Sequence, residues 1–366
     1  MKTTIYRAET IGSMLRPAAL RDARRALRRR TISAAAFKRI EDDAVDAAIA
    51  QQETAGLDVV TDGEQRRASF LGALLEGTEG LSRSDDVTKP WHEPDGTVSQ
   101  LSLGLLVTGQ LRRVRSIVAE DYAYARARAH RPLKVSLPSP MMLSMFWSAA
   151  AARNVYRDPF ELFADGAEVI RAEIRELARQ GCTYIQIDAP ELATLTDPAA
   201  TQLLYEEPGI DSRRILEEGV DILNSLADVE GVTFGLHLCR GNNDGRWLAQ
   251  GGYDAIARRL FQRATNYSIF LLEYDDARSG SFAPLAEVPP EHVVVLGLVS
   301  TKKAAMETAI ELIRRIEAAA QYFPLEHLAL SPQCGFASGI GGNPITPEIQ
   351  AAKLKLVADV AHQVWR

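Results

Sequence analysis

Cysteine is scarce in this chain: Cys182, Cys239 and Cys334 are the three among 366 residues. An odd, small number argues against a disulfide framework and leaves metal binding, catalysis or core packing as uses for the thiols. No run approaches the eighteen or more apolar residues of a membrane span, and none is expected. The segment MKTTIYRAET has no apolar core of the kind a secretory signal needs, so the cytoplasm is the expected location. An excess of positive charge is also missing. The formal charge is −6, from 42 Lys and Arg against 48 Asp and Glu, which argues against a nucleic-acid or membrane-surface partner. The basic run RDARRALRRR at 21–30 reads as the solvated face of a helix. What remains is the composition of an ordinary globular protein, 46% hydrophobic and 25% charged.

Eight short segments have strand character: 6–13, 58–64, 133–140, 184–190, 233–239, 269–274, 293–300 and 328–334. Amphipathic stretches with helical spacing separate most of them. One is ADGAEVIRAEIRELARQG, which stops at Gly181. Strand and helix alternating eight times predict an α/β fold, a single (β/α)8 TIM barrel. Residues 71–130 fit the repeat poorly and read as an insertion after the second strand, placed to cover the barrel mouth. Within it, the alternation of QLSLGLLVTGQLR suits a hairpin. The whole chain, 1–366, is expected to form one domain.

Several of these strands turn polar at their last residues, where barrels of this kind build their sites. GLHLC supplies His237 and Cys239, two apart and therefore on one face of a strand. FLLEY supplies Glu273, 273 − 239 = 34 residues later, about one repeat on; LSPQC supplies Cys334. One imidazole, two thiolates and a carboxylate suit Zn²⁺. Cys182, at a helix-to-strand junction, reads instead as a small core residue. His92, His130, His292, His327 and His362 fall on loops or helices and read as surface residues. A zinc ion with two thiolates and a carboxylate carries a net charge near −1, poor for activating water and better suited to holding a substrate thiol as thiolate. Glu273, the hardest ligand, is the one an incoming sulfur displaces most easily. The expected chemistry is alkyl transfer to a thiol.

These residues resemble a known family. TIGSMLRP, GLDVVTDGEQRR, MFWS, YIQIDAPEL, HLCRGN, LLEYDDARSG, LGLVSTKK and LSPQCGFAS, in that order, are similar to the C-terminal catalytic barrel of cobalamin-independent methionine synthase. That family lies in the superfamily that includes uroporphyrinogen decarboxylase. The resemblance implies zinc ligands at His237, Cys239, Glu273 and Cys334, with Glu273 and Asp188 as the catalytic pair. It implies amino-acid contacts at Ile11, Gly12, Ser13, Glu64 and Asp188, and a pterin-stacking position at Trp147. The substrates it implies are the thiol homocysteine and a methyl donor, either 5-methyltetrahydrofolate or a methyl-corrinoid protein, with a homo-oligomer left open. Two positions depart from the pattern. The general-acid histidine of the seventh strand reads Val299, and the acid of an IDEP motif reads Ala189. The thiol-activating half is intact and the donor half differs. A zinc thiol transferase of the epoxyalkane–coenzyme M type would share the metal but not need Glu64 and Asp188. A decarboxylase would need no metal, and a structural zinc would stay closed to substrate.

Overall fold

The computed structural model describes residues 4–366. Four strands come first: β1 (Thr78–Arg83), β2 (Thr88–His92), β3 (Val98–Ser102) and β4 (Leu105–Arg113). Six more form one parallel sheet in chain order: β5 (Val135–Pro138), β6 (Tyr184–Asp188), β7 (Thr233–Leu238), β8 (Ile269–Glu273), β9 (Val293–Val299) and β10 (Leu328–Pro332). Residues 7–9 and 58–60 bridge the two edges of that sheet. Leu330 donates to the Arg7 carbonyl at 2.9 Å, Asp58 to that of Ala8 at 2.9 Å and Lys134 to that of Val60 at 2.8 Å. The ring so closed is the (β/α)8 barrel.

The first two expected strands, 6–13 and 58–64, are reduced to single bridges, Ala8 with Leu330 and Val60 with Leu133. A side chain takes the donors that a longer ladder would use. Asp58 Oδ2 accepts the backbone N–H of Arg7 at 2.8 Å and of Ala8 at 3.0 Å. Further on, Gly63 (φ 65°) and Glu64 (φ 53°) turn the chain out of extended geometry.

Alternation along the strands sorts the barrel wall. Ile269 and Leu271 of β8, Val293 and Val295 of β9, Val59 and Ala329 pack together as an apolar interior layer. Continuing on the same faces toward the C-terminal ends brings Glu273, His237 and Asp188 inward. The outer faces carry residues such as Ile185, Leu236, Phe270 and Leu296 into the larger core under the helices. The helix Pro159–Arg179 shows why the sequence pattern works. Asp158 caps it by accepting from Phe160 N, Pro159 opens it, and Gly181 (φ 86°) lies just past its end. It buries Phe163, Ile170, Ile174 and Leu177. No helix among the described residues is long and apolar enough to cross a membrane.

Residues 78–113 form a nested ribbon, with β2 pairing β3 and β1 pairing β4, both antiparallel. The hairpin expected within QLSLGLLVTGQLR does not form. Gly104 (φ 72°) breaks the run, and each half pairs with an earlier strand. A period of two fixes a strand's faces but not its partner. His92 ties the ribbon to the loop after β7, exchanging backbone bonds with Trp247 at 2.8 and 3.1 Å and stacking on its ring at 3.9 Å. His292, expected at the surface, is buried. It lies 5.5 Å from the Phe270 ring, and its Nδ1 is 3.2 Å from the Pro289 carbonyl. Cys182 is a core residue, its thiol pushed up to about 11 by burial.

Candidate active site

At the C-terminal ends of β7 and β10 the ring nitrogen of His237 and the sulfurs of Cys239 and Cys334 lie within 4.8 Å of one another. All three residues are buried. The two cysteines follow their strands by one and two residues, where the chain leaves the ladder and can turn inward. His237 Nδ1 sits 3.2 Å from the Leu271 carbonyl. Donation there fixes the ring and leaves the Nε2 lone pair facing the sulfurs, and Nε2 has no hydrogen-bond partner. The Cys239 thiol beside it, together with His237 and Lys302, holds Cys334 well below the usual thiol range. Cys239 is pushed well up by Cys334 and by burial. Burial would lower the His237 pKa, but Cys334 and Asp188 raise it above the ordinary value. An orphaned imidazole nitrogen and two converging sulfurs, one biased toward thiolate, fit a zinc ion and offer little to a hard cation.

Glu273 stands apart from that trio. Its Oε1 accepts from Lys302 Nζ at 3.1 Å and lies 3.5 Å from Arg278, while Oε2 accepts the Arg240 N–H at 2.7 Å. Burial would raise its pKa, but Lys302, Arg240 and Arg278 hold it below the ordinary carboxylate value.

A cavity opens above the trio, walled by Ile11, Ser13, Glu64 and Asp188 on its polar side. Phe70, Trp91, Leu103, Met142 and Phe146 line the apolar side. Gly12 lies behind the wall, and a Cβ there would meet Glu64 Oε1 at 2.6 Å, so only glycine lets the carboxylate lie against that backbone. Glu64 is held in the left-handed region by several contacts. Its N–H donates to Asp62 Oδ1 at 2.9 Å and its carbonyl accepts from Arg16 at 2.8 Å. Ser136 Oγ donates to Glu64 Oε1 at 2.8 Å, while Oε2 has no partner. A non-glycine residue in that conformation costs about 1 kcal/mol or more, which the surroundings must offset. Asp188 Oδ1 accepts from Gln186 Nε2 at 2.6 Å, and Gln186 is in turn held by Lys134 at 2.7 Å. Burial, reinforced by Glu64 and opposed by His237, raises Asp188 to about 7. Two buried carboxylates with free acceptor capacity, facing one cavity, suit an ammonium group.

Residues 6–362 match the family described as the catalytic domain of cobalamin-independent synthase. The chain belongs to that family. Among relatives of this synthase-family chain, YxjG of Bacillus subtilis is 34% identical over 99% of the chain and 95% of its own length. The 5-methyltetrahydropteroyltriglutamate–homocysteine methyltransferase of Syntrophotalea carbinolica is 26% identical over 89% of the chain, which spans 39% of that protein. A Listeria monocytogenes structure described as a putative vitamin-B12-independent methionine synthase superposes with a TM-score of 0.73 at 25% identity, covering both chains fully. As a member of the methionine synthase family, the chain is a transferase.

Within this synthase barrel, the structure brings together Ile11, Ser13, Glu64, Asp188, His237, Cys239 and Cys334 around one cavity. It does not bring Trp147 there. That residue is buried in the core, with its indole N–H donating to the Pro208 carbonyl at 3.2 Å. Val299 is also core. The group from that strand's end that reaches the site is Lys302, three residues on. Sequence reasoning missed it, with Arg278 and Arg240, although VSTKK, DDARSG and HLCRGN place each cation within a few residues of a strand end.

Glu191 was also missed. Both its carboxylate oxygens are buried without a hydrogen-bond partner, and burial pushes its pKa up to about 8. The folded protein keeps this proton where the unfolded chain gives it up. Stability is therefore lost as pH rises from the ordinary carboxylate range through about 8. Glu191→Gln, neutral and nearly isosteric, gains on wild type across that window, by on the order of 4 kcal/mol at its upper end. Denaturant titrations of both proteins at pH 5 and pH 8.5 check this; a difference that does not grow with pH contradicts it.

Proposed function

We propose that this chain is a zinc-dependent S-methyltransferase that converts homocysteine to methionine. The observation carrying this reading is the buried His237–Cys239–Cys334 trio opening onto a cavity that also presents Glu64 and Asp188. Zinc held there would supply one effect: it would keep the substrate sulfur as a thiolate at neutral pH, where a free thiol is mostly protonated. The chain's own residues do the rest. His237, Cys239 and Cys334 would hold the ion, and Glu273, which rests in its cationic pocket outside the trio, would have to swing out of that pocket to serve as a fourth, displaceable ligand. Glu64 and Asp188 receive the α-ammonium, and the backbone at Ile11–Ser13 receives the α-carboxylate. With the ammonium and carboxylate held on that side of the cavity, the thiol end would be left for the metal. The same two carboxylates oppose a sulfonate, which argues against a coenzyme M-type thiol.

Phe70, Trp91, Leu103 and Phe146 form the apolar wall against which the methyl donor would rest, excluding water from the attacking sulfur. The donor is 5-methyltetrahydrofolate or a methyl-corrinoid protein. Neither Val299 nor Ala189 offers an acid to a departing amine, so a corrinoid leaving group needs less from this site. Mass-spectrometric detection of methionine from homocysteine, with each donor supplied separately to the zinc-loaded protein, tests the reading. Product with either donor supports it. No product with both, from protein shown to contain zinc, contradicts it.

A further inference from the structure

Glu273 is fully buried, yet it is outside the group of converging metal-type donors and inside a cationic pocket. Three groups occupy its two oxygens: Lys302 Nζ at 3.1 Å, Arg278 at 3.5 Å and the Arg240 N–H at 2.7 Å. Lys302 is itself buried, so this is an ion pair removed from solvent rather than a surface contact. A buried carboxylate without a counter-charge costs several kcal/mol, and a carboxylate leaving a metal in this interior would face that cost. The pocket removes it. We propose that Lys302, with Arg278 and the Arg240 N–H, is the receiving site for the Glu273 carboxylate when a thiol enters, so that Lys302 sets how readily the thiol takes its place.

The inference rests on the zinc reading above. In the exchange, the substrate sulfur would take the place of a Glu273 oxygen at the metal, one bond given up for one formed. The thiol proton leaves to buffer, and the freed carboxylate pairs with Lys302. One anion replaces another at the metal, and the displaced one is neutralised locally, so no net charge is stranded. Lys302 is thus a positioning residue, acting through Glu273 and not on the substrate.

The test uses zinc-loaded protein with metal content verified, and reads homocysteine affinity by calorimetry alongside the sulfur count at the zinc edge. Lys302→Met is expected to keep its zinc and bind homocysteine at least about tenfold more weakly, since losing one partner of a buried pair exceeds 1.4 kcal/mol. Lys302→Arg should restore most of the affinity. In a Glu273→Gln background, where the neutral amide needs no cation, adding Lys302→Met should change affinity by less than about threefold. If Lys302→Met does not fold, Lys302→Gln replaces it in both backgrounds. Wild-type affinity in the Lys302 variant overturns the inference, as does an equal loss with Glu273 replaced. A wild-type protein that gains no sulfur at zinc defeats the zinc reading itself, a separate result.

Discussion

Cys239→Ser, Cys334→Ser protein is expected to purify without zinc and to form methionine at least about a thousandfold more slowly than wild type. A serine hydroxyl stays protonated at neutral pH, whereas each cysteine can donate as a thiolate, so the substitution removes two of the three converging donors. Structural zinc sites of this ligand type bind with about 10–16 kcal/mol, most of which depends on the thiolates. The fold should survive. Both cysteines lie past the ends of their strands at the mouth, and the apolar interior of Val59, Ile269, Leu271, Val293 and Val295 sits below them. Metal analysis, a methionine assay and circular dichroism on the same sample decide the matter. A folded, zinc-free double variant that still forms methionine at the wild-type rate would end the zinc reading.

Asp188→Asn should raise the homocysteine KM by about a hundredfold, because the ammonium loses a charged partner in a buried site, worth about 2–5 kcal/mol. The variant is a clean one. Asparagine Oδ1 can still accept from Gln186 Nε2, so the hydrogen-bond network through Lys134 and Glu9 stays closed. The control is 4-mercaptobutanoate, the same thiol without its amino group. Wild type and variant should handle it alike, since neither has an ammonium to bind. A loss of equal size for both thiols would place the role of Asp188 elsewhere, in shaping the metal site through His237.

Much of this arrangement could be read from the residues. Six of the eight barrel strands announce themselves as short, mostly apolar runs, and His237, Cys239, Glu273 and Cys334 as polar ends to those runs. The missing part has physical reasons. The Ala8 segment pairs through a single bridge because the Asp58 side chain competes for its donors, a long-range effect invisible to local pattern. The Val60 segment is cut short by the turn at Gly63 and Glu64. Lys302 lies beyond its strand, so alternation says nothing of where it points; only the barrel's curvature brings it to Glu273. His292 looked like a surface histidine because polarity alone does not reveal an aromatic neighbour such as Phe270. Trp147 carried a motif position, yet its indole is held in the core by Pro208.

Zinc-edge X-ray absorption, recorded before and after adding homocysteine, tests the central claim most directly. The resting protein should show two sulfurs and two lighter donors, His237 and Glu273. With homocysteine present the count should become three sulfurs and one lighter donor, the carboxylate having given way. A sulfur count that stays at two, in protein that binds homocysteine, would mean the metal never holds the substrate thiol, and the thiolate account would be wrong.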